Sequence, residues 1–192
     1  MKKKMKTKDL IYAGAFGALY LILVMIFTSV LGVIPLLYVL SPLLVGIVCG
    51  TVFLLYVSKV QKPGAILILS LLFGLMAGSA YWVSFVFIIL TGIVAELIVR
   101  AGKYQSFKMY AIGYCVFNMN MVGPFLFITL SRDKYLSMAR EYYGAEHAAS
   151  LAAVTPSWIN LAQIALAVAG AVIGILIAKK LVKKHYEKAG II

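Results

Sequence analysis

The chain has 192 residues, 64% of them hydrophobic and 12% charged, with a mean hydropathy of +1.02, whereas an ordinary soluble domain carries about 25% charged residues. This composition excludes a soluble globular protein, so the surplus of 18 Lys and Arg over 6 Asp and Glu is explained by a membrane and not by nucleic acid. At about 20 residues per span, the length allows six spans with short loops and leaves no room for an ATPase or catalytic domain, so any energy source is expected on another chain.

Apolar runs between charges predict spans at 10–31, 34–57, 64–81, 83–100, 108–130 and 156–179, within a single integral membrane domain covering 1–192. Gly32 and Pro35 break the first run. Lys59, Lys62, Pro63 and Gly64 break the second, and the stretch from Arg100 to Lys108 breaks the fourth. The third break, at Tyr81 and Trp82, carries no charge; Gly74, Gly78 and Ser79 ahead of an aromatic pair predict a turn at a membrane interface. The Lys-rich start resembles a secretory signal, but its apolar run is too long for a signal core. Cys49 and Cys115 both fall inside spans, where they read as apolar fillers rather than a disulfide or metal pair.

Cationic residues test this order. Lys2, Lys3, Lys4, Lys6 and Lys8 precede the first span; Lys59 and Lys62 follow the second; Arg100, Lys103 and Lys108 follow the fourth; Lys179, Lys180, Lys183, Lys184 and Lys188 end the chain. Six spans put all fifteen on one side, leaving Arg132, Lys134 and Arg140 in a long outer loop, 131–155, beside Asp133, Glu141 and Glu146. The positive-inside rule then predicts that both termini are cytoplasmic.

In lipid, helices associate through small residues that let backbones approach. Three rows are spaced for this: Ala13 with Gly17 and Gly14 with Ala18 in the first span, Gly74 with Gly78 in the third, and Gly170, Gly174 and Ala178 in the last. The first span is the best candidate for an outward-facing strip, because its small residues cover more than one face.

Polar groups in the bilayer are costly when unpaired and so mark candidate sites. Glu96 is the one acid deep in a span, with Arg100 one turn on, a spacing that suits a structural pair. Asn118 and Asn120 fall mid-span on different faces. Trp158, Asn160 and Gln163 stand at the outer start of the last span, and Arg140, Tyr143 and His147 share a face if the outer loop is helical. With only two His, His147 and His185, and no second intramembrane acid near Glu96, neither a metalloprotease nor an aspartyl protease has its parts, and no enzyme is expected.

Six short spans with both ends inside, and small residues on the first, resemble the substrate-binding S component of an energy-coupling factor (ECF) transporter. The stretch from Gly102 to Lys108 (GKYQSFK), then Ile112-Gly113-Tyr114, the run Tyr143 to His147 (YGAEH) and the tail Lys183 to Ile191 are similar to the Trep_Strep family of small bacterial membrane proteins. The resemblance implies a bacterial cell-membrane protein that captures a vitamin or other micronutrient outside. It would then dock on a transmembrane coupling subunit served by two cytoplasmic ATPases, and topple in the membrane to carry its ligand inward. Docking in that family uses an Ala-x-x-x-Ala strip on the first helix, which maps onto Ala13 to Gly17 or onto Gly14 to Ala18, each with one Ala replaced by Gly. The family's site position selects Tyr81, Trp82, Asn118, Asn120, Tyr143, His147, Trp158, Asn160 and Gln163 for substrate binding, with no metal and no cofactor held by this chain. A scaffold without ligand is the alternative; a self-sufficient ion-driven carrier lacks paired intramembrane charges. The outer residues favour a neutral, aromatic or amphipathic ligand over a strongly anionic one, with a porphyrin bound by His147 or a Tyr as a minor variant.

Overall fold

The computed structural model describes the backbone over residues 5–189 and side chains over residues 5–182, so the lysines at 2–4 and the tail motif from Lys183 to Ile191 lie outside the side chains described. The regular structure of the described residues is all helical, without strands. They form α1 (Thr7–Gly32), α2 (Pro35–Val39), α3 (Ser41–Lys59), α4 (Ala65–Ala77), α5 (Trp82–Ala101), α6 (Phe107–Asn118), α7 (Gly123–Leu130), α8 (Arg132–Tyr143), α9 (Ala145–Val154) and α10 (Ile159–Ala189). Five segments among them are long and apolar enough to cross a membrane: α1, α3, α5, the stretch Phe107–Leu130 and α10 over Ile159–Val182.

The third expected span, 64–81, is helical only over the 13 residues of α4. At 1.5 Å per residue it is about 20 Å long, short of the roughly 30 Å of hydrocarbon. Gly78 and the turn to Tyr81 end it early. Two other expected spans are broken where proline removes a backbone donor and crowds the preceding turn. Pro42 sits in the first turn of α3, so the run 34–57 divides at Leu40. Pro124 sits in the first turn of α7, and the chain enters it through a tight 3-10 turn, Met119–Val122, that interrupts 108–130. The outer segment 131–155 is a hairpin of α8 and α9. It turns at Gly144, whose φ of +91° suits a residue without Cβ.

Inside the bundle, α3 and α10 cross at backbone contact. A Cβ on Gly50 would lie 2.6 Å from the Gly174 carbonyl carbon, and one on Gly46 2.9 Å from the Ala171 nitrogen. The row Gly170, Gly174, Ala178 therefore has its partner in Gly46 and Gly50, also four apart. Around this crossing packs a core of Tyr20, Phe53, Phe73, Tyr114 and Phe117, whose rings meet in pairs at 4.7 to 6.2 Å.

One end of the bundle is tied by polar bonds. Glu96, buried on α5, accepts hydrogen bonds from the Gly64 and Ile66 backbone N–H groups at 2.9 Å each and from the Tyr104 hydroxyl at 2.6 Å. Its carboxylate thus caps the start of α4, where the helix dipole favours negative charge. Arg100, one turn on, stands exposed. Burial first, then the bond to Glu96 and its charge, hold the Tyr104 phenol well above its ordinary pKa. The Tyr110 hydroxyl donates to the Tyr104 carbonyl, and Tyr56 donates to the Ala65 carbonyl at 2.7 Å, so α3, α4, α5 and α6 are joined at this lysine-bearing end.

Candidate functional site

The opposite end holds a cavity of two adjoining chambers. The wider, about 560 Å³, lies beneath the α8–α9 hairpin, within the size usual for small-molecule sites. Tyr135, Ala139 and Tyr143 recur every four residues on α8, and His147 and Leu151 do so on α9, so each helix turns one face to it. Tyr143 and His147 meet across the Gly144 turn with ring centroids 5.0 Å apart. The expected single helix carrying Arg140, Tyr143 and His147 on one face does not form: Gly144 ends α8, and Arg140 is exposed and off the lining. The hairpin is fastened by Arg132, whose guanidinium donates to the Thr155 and Ala152 carbonyls at the end of α9. Burial raises the Tyr135 phenol above its usual pKa, against an opposing hydrogen bond from Tyr38.

The deeper chamber, about 260 Å³, runs into the bundle between α1, α4 and the 3-10 turn. Its walls are mainly apolar and flexible, with Met25, Met76 and Met121 beside Phe73 and Phe125. Thr28, Ser29 and Tyr38 line both chambers, which adjoin along them. Tyr38 is held there against Phe125, ring centroids 4.7 Å apart. Ser41, at the start of α3, is fully buried in the deep wall, and its hydroxyl has no hydrogen-bond partner.

Of the nine residues selected from the sequence, Tyr143 and His147 line the wide chamber. Tyr81 stacks on Phe127 at 5.0 Å, and Phe127 meets Tyr135 edge-on, so Tyr81 backs the wall one ring away. Trp82 and Trp158 are 71% and 61% exposed, as interfacial tryptophans are. Asn118 is fully buried and donates to the Pro42 and Ala167 carbonyls at 3.0 and 2.8 Å, tying α6 to α3 and α10. Asn160 donates to the Thr129 hydroxyl at 2.8 Å, tying α10 to α7. Asn120 and Gln163 are fully buried with no completed hydrogen bond, and the Tyr20 hydroxyl lies beside Asn120.

The two candidate docking pairs separate cleanly. Ala13 and Gly17 face the bundle, and a Cβ on Gly17 would stand 2.6 Å from Leu72 Cδ1. Gly14 and Ala18 are exposed, with open space around Gly14. Sequence reasoning missed Tyr38, Thr28 and the three methionines. The four-residue rhythm of Tyr135, Ala139 and Tyr143 was the available signal for the lid; nothing in the sequence brings Met25, Met76 and Met121 together.

These features define a multi-pass helical membrane protein with a lidded cavity at one end of its bundle. The chain belongs to the Trep_Strep family of hypothetical bacterial integral membrane proteins, whose model matches residues 7–188. No curated protein and no solved structure matches it.

Proposed function

We propose that this chain is the substrate-capture subunit of an ATP-driven importer of the energy-coupling factor type, taking a small molecule from outside the bacterial cell into the two-chambered cavity. The observation that carries this reading is the cavity itself: preformed, roofed by a fastened hairpin, and at the end of the bundle away from the lysine clusters. By the positive-inside rule those clusters mark the cytoplasmic face, with both termini on it, so the lid faces outward. The short α4 serves as the sixth pass, which keeps the clusters on one side.

Energy comes from partners: a transmembrane coupling subunit and two cytoplasmic ATPases. The docking surface is α1, the least buried of the five long helices, and the pair that meets the partner is Gly14 with Ala18, because Ala13 and Gly17 already pack within the bundle. Small residues there let another helix approach to backbone contact.

The test is reconstitution in liposomes with a coupling subunit and ATPases, following uptake of whatever molecule co-purifies with the protein. Gly14→Trp abolishes ATP-dependent uptake and leaves binding intact. Gly17→Trp lowers the yield of folded protein, since its side chain collides with Leu72. Uptake that proceeds without ATPases, or that survives Gly14→Trp, overturns the reading.

A further inference from the structure

The geometry points to the ligand class: an uncharged amphipathic molecule that inserts an aromatic ring or short alkyl end into the deep chamber and holds its hydrogen-bonding groups under the lid. This rests on the reading of the chain as a capture subunit and narrows what it captures.

Charge decides first. Among the described residues, no Lys, Arg, Asp or Glu lines either chamber. An ionised group inserted there would lose part of its hydration without gaining a carboxylate or an ammonium or guanidinium counter-ion. The lining offers hydrogen bonding instead, from the uncharged hydroxyls of Thr28, Ser29, Tyr38, Tyr135 and Tyr143 and from the His147 imidazole, all on the wider chamber, the first three shared with the deep one. Polarity is therefore graded along the cavity, from the lid inward to the Met25, Met76, Met121 and Phe73 walls.

Size and chemistry of the deep chamber decide the rest. A space of about 260 Å³ falls just below the range for whole drug-sized ligands, so it takes one ring system or a short chain while the remainder stays in the wider space. Unbranched methionine side chains adapt to such a group and make favourable sulfur contacts with an aromatic face.

Three probes of one shape and different charge test this on the full-length protein in lipid nanodiscs: 2-(1-naphthyl)ethanol, the 1-naphthylacetate anion and the 2-(1-naphthyl)ethylammonium cation. Binding is read by equilibrium dialysis, subtracting uptake by empty nanodiscs. The neutral alcohol binds saturably, and each ion binds more than about tenfold more weakly, the equivalent of about 1.4 kcal/mol. Ala77→Trp, which fills the deep chamber, abolishes binding of the alcohol. Should that variant misfold, Met25→Ala, at a half-exposed position, weakens the alcohol instead. An ion that binds in the cavity as tightly as the alcohol, or alcohol binding indifferent to both variants, overturns the ligand class while leaving the capture reading standing. Absence of saturable binding by all three overturns both.

Discussion

Replacing Glu96 with Gln keeps size and shape but changes what the group can accept. The carboxylate receives three donors, two backbone N–H groups at 2.9 Å and the Tyr104 hydroxyl at 2.6 Å. A Gln oxygen can keep the pair that now reaches Oε1, Gly64 N–H and Tyr104. Its amide nitrogen then faces the Ile66 N–H, donor against donor. A charged hydrogen bond is worth about 1.5–3 kcal/mol net, and a buried donor left without a partner costs about 1–3 kcal/mol more. Loss of the negative charge at the start of α4 removes a further contribution of about 0.3–1 kcal/mol. The terms overlap, so Glu96→Gln destabilises by about 4 kcal/mol, a large share of the 5–15 kcal/mol typical of a folded domain. Unfolding in mixed micelles against a rising fraction of denaturing detergent measures this, with Arg100→Ala as the comparison, expected within about 0.5 kcal/mol of the parent as for an exposed charge. If Arg100→Ala costs as much as Glu96→Gln, the carboxylate's partner is the arginine and the capping argument fails.

Asn118→Leu removes two interhelical hydrogen bonds, each worth about 0.6–1.7 kcal/mol within a bilayer; the same titration should show about 2 kcal/mol lost, and no loss would mean α3 and α10 hold α6 without it. Gly174→Leu drives a side chain into Gly46 and Ile47 of α3 and should prevent recovery of monodisperse protein, whereas Gly14→Leu, facing open space, should not. Arg132→Ala releases the end of α9, so backbone hydrogen exchange over Ala145–Val154 should speed up while that of α3 stays unchanged. Equal protection before and after would show that the Ala148 and Leu151 packing alone keeps the lid down.

Much was legible along the chain. Long apolar runs between charges located α1 and α5 within a few residues and overlapped most of α3 and α10, because burying a backbone in lipid demands continuous helix. Tyr143 and His147, near one another in the outer loop, are among the candidate binding residues selected from the sequence, and both line the wide chamber. The breaks were harder. Pro42 and Pro124 are visible as letters, but whether a proline kinks a span or divides it depends on what the neighbouring helices supply to the freed carbonyls. The early end of α4 hangs on how closely Gly78 packs against Phe85, since a Cβ there would lie 2.6 Å from the Phe85 Cα.

Composition and charge order by themselves determined that this is a helical membrane protein with its cations clustered between particular spans, because those properties follow from transfer free energies summed along a segment. Only the tertiary structure decided which small residues are spent on internal contacts and which stay free, that Glu96 serves α4 rather than Arg100, and that Met25, Met76 and Met121 enclose one chamber. Each of those turns on the rotation of a helix about its axis and on neighbours far away in sequence, and α1 in particular is so uniformly apolar that its own sequence carries no sign of which face turns inward.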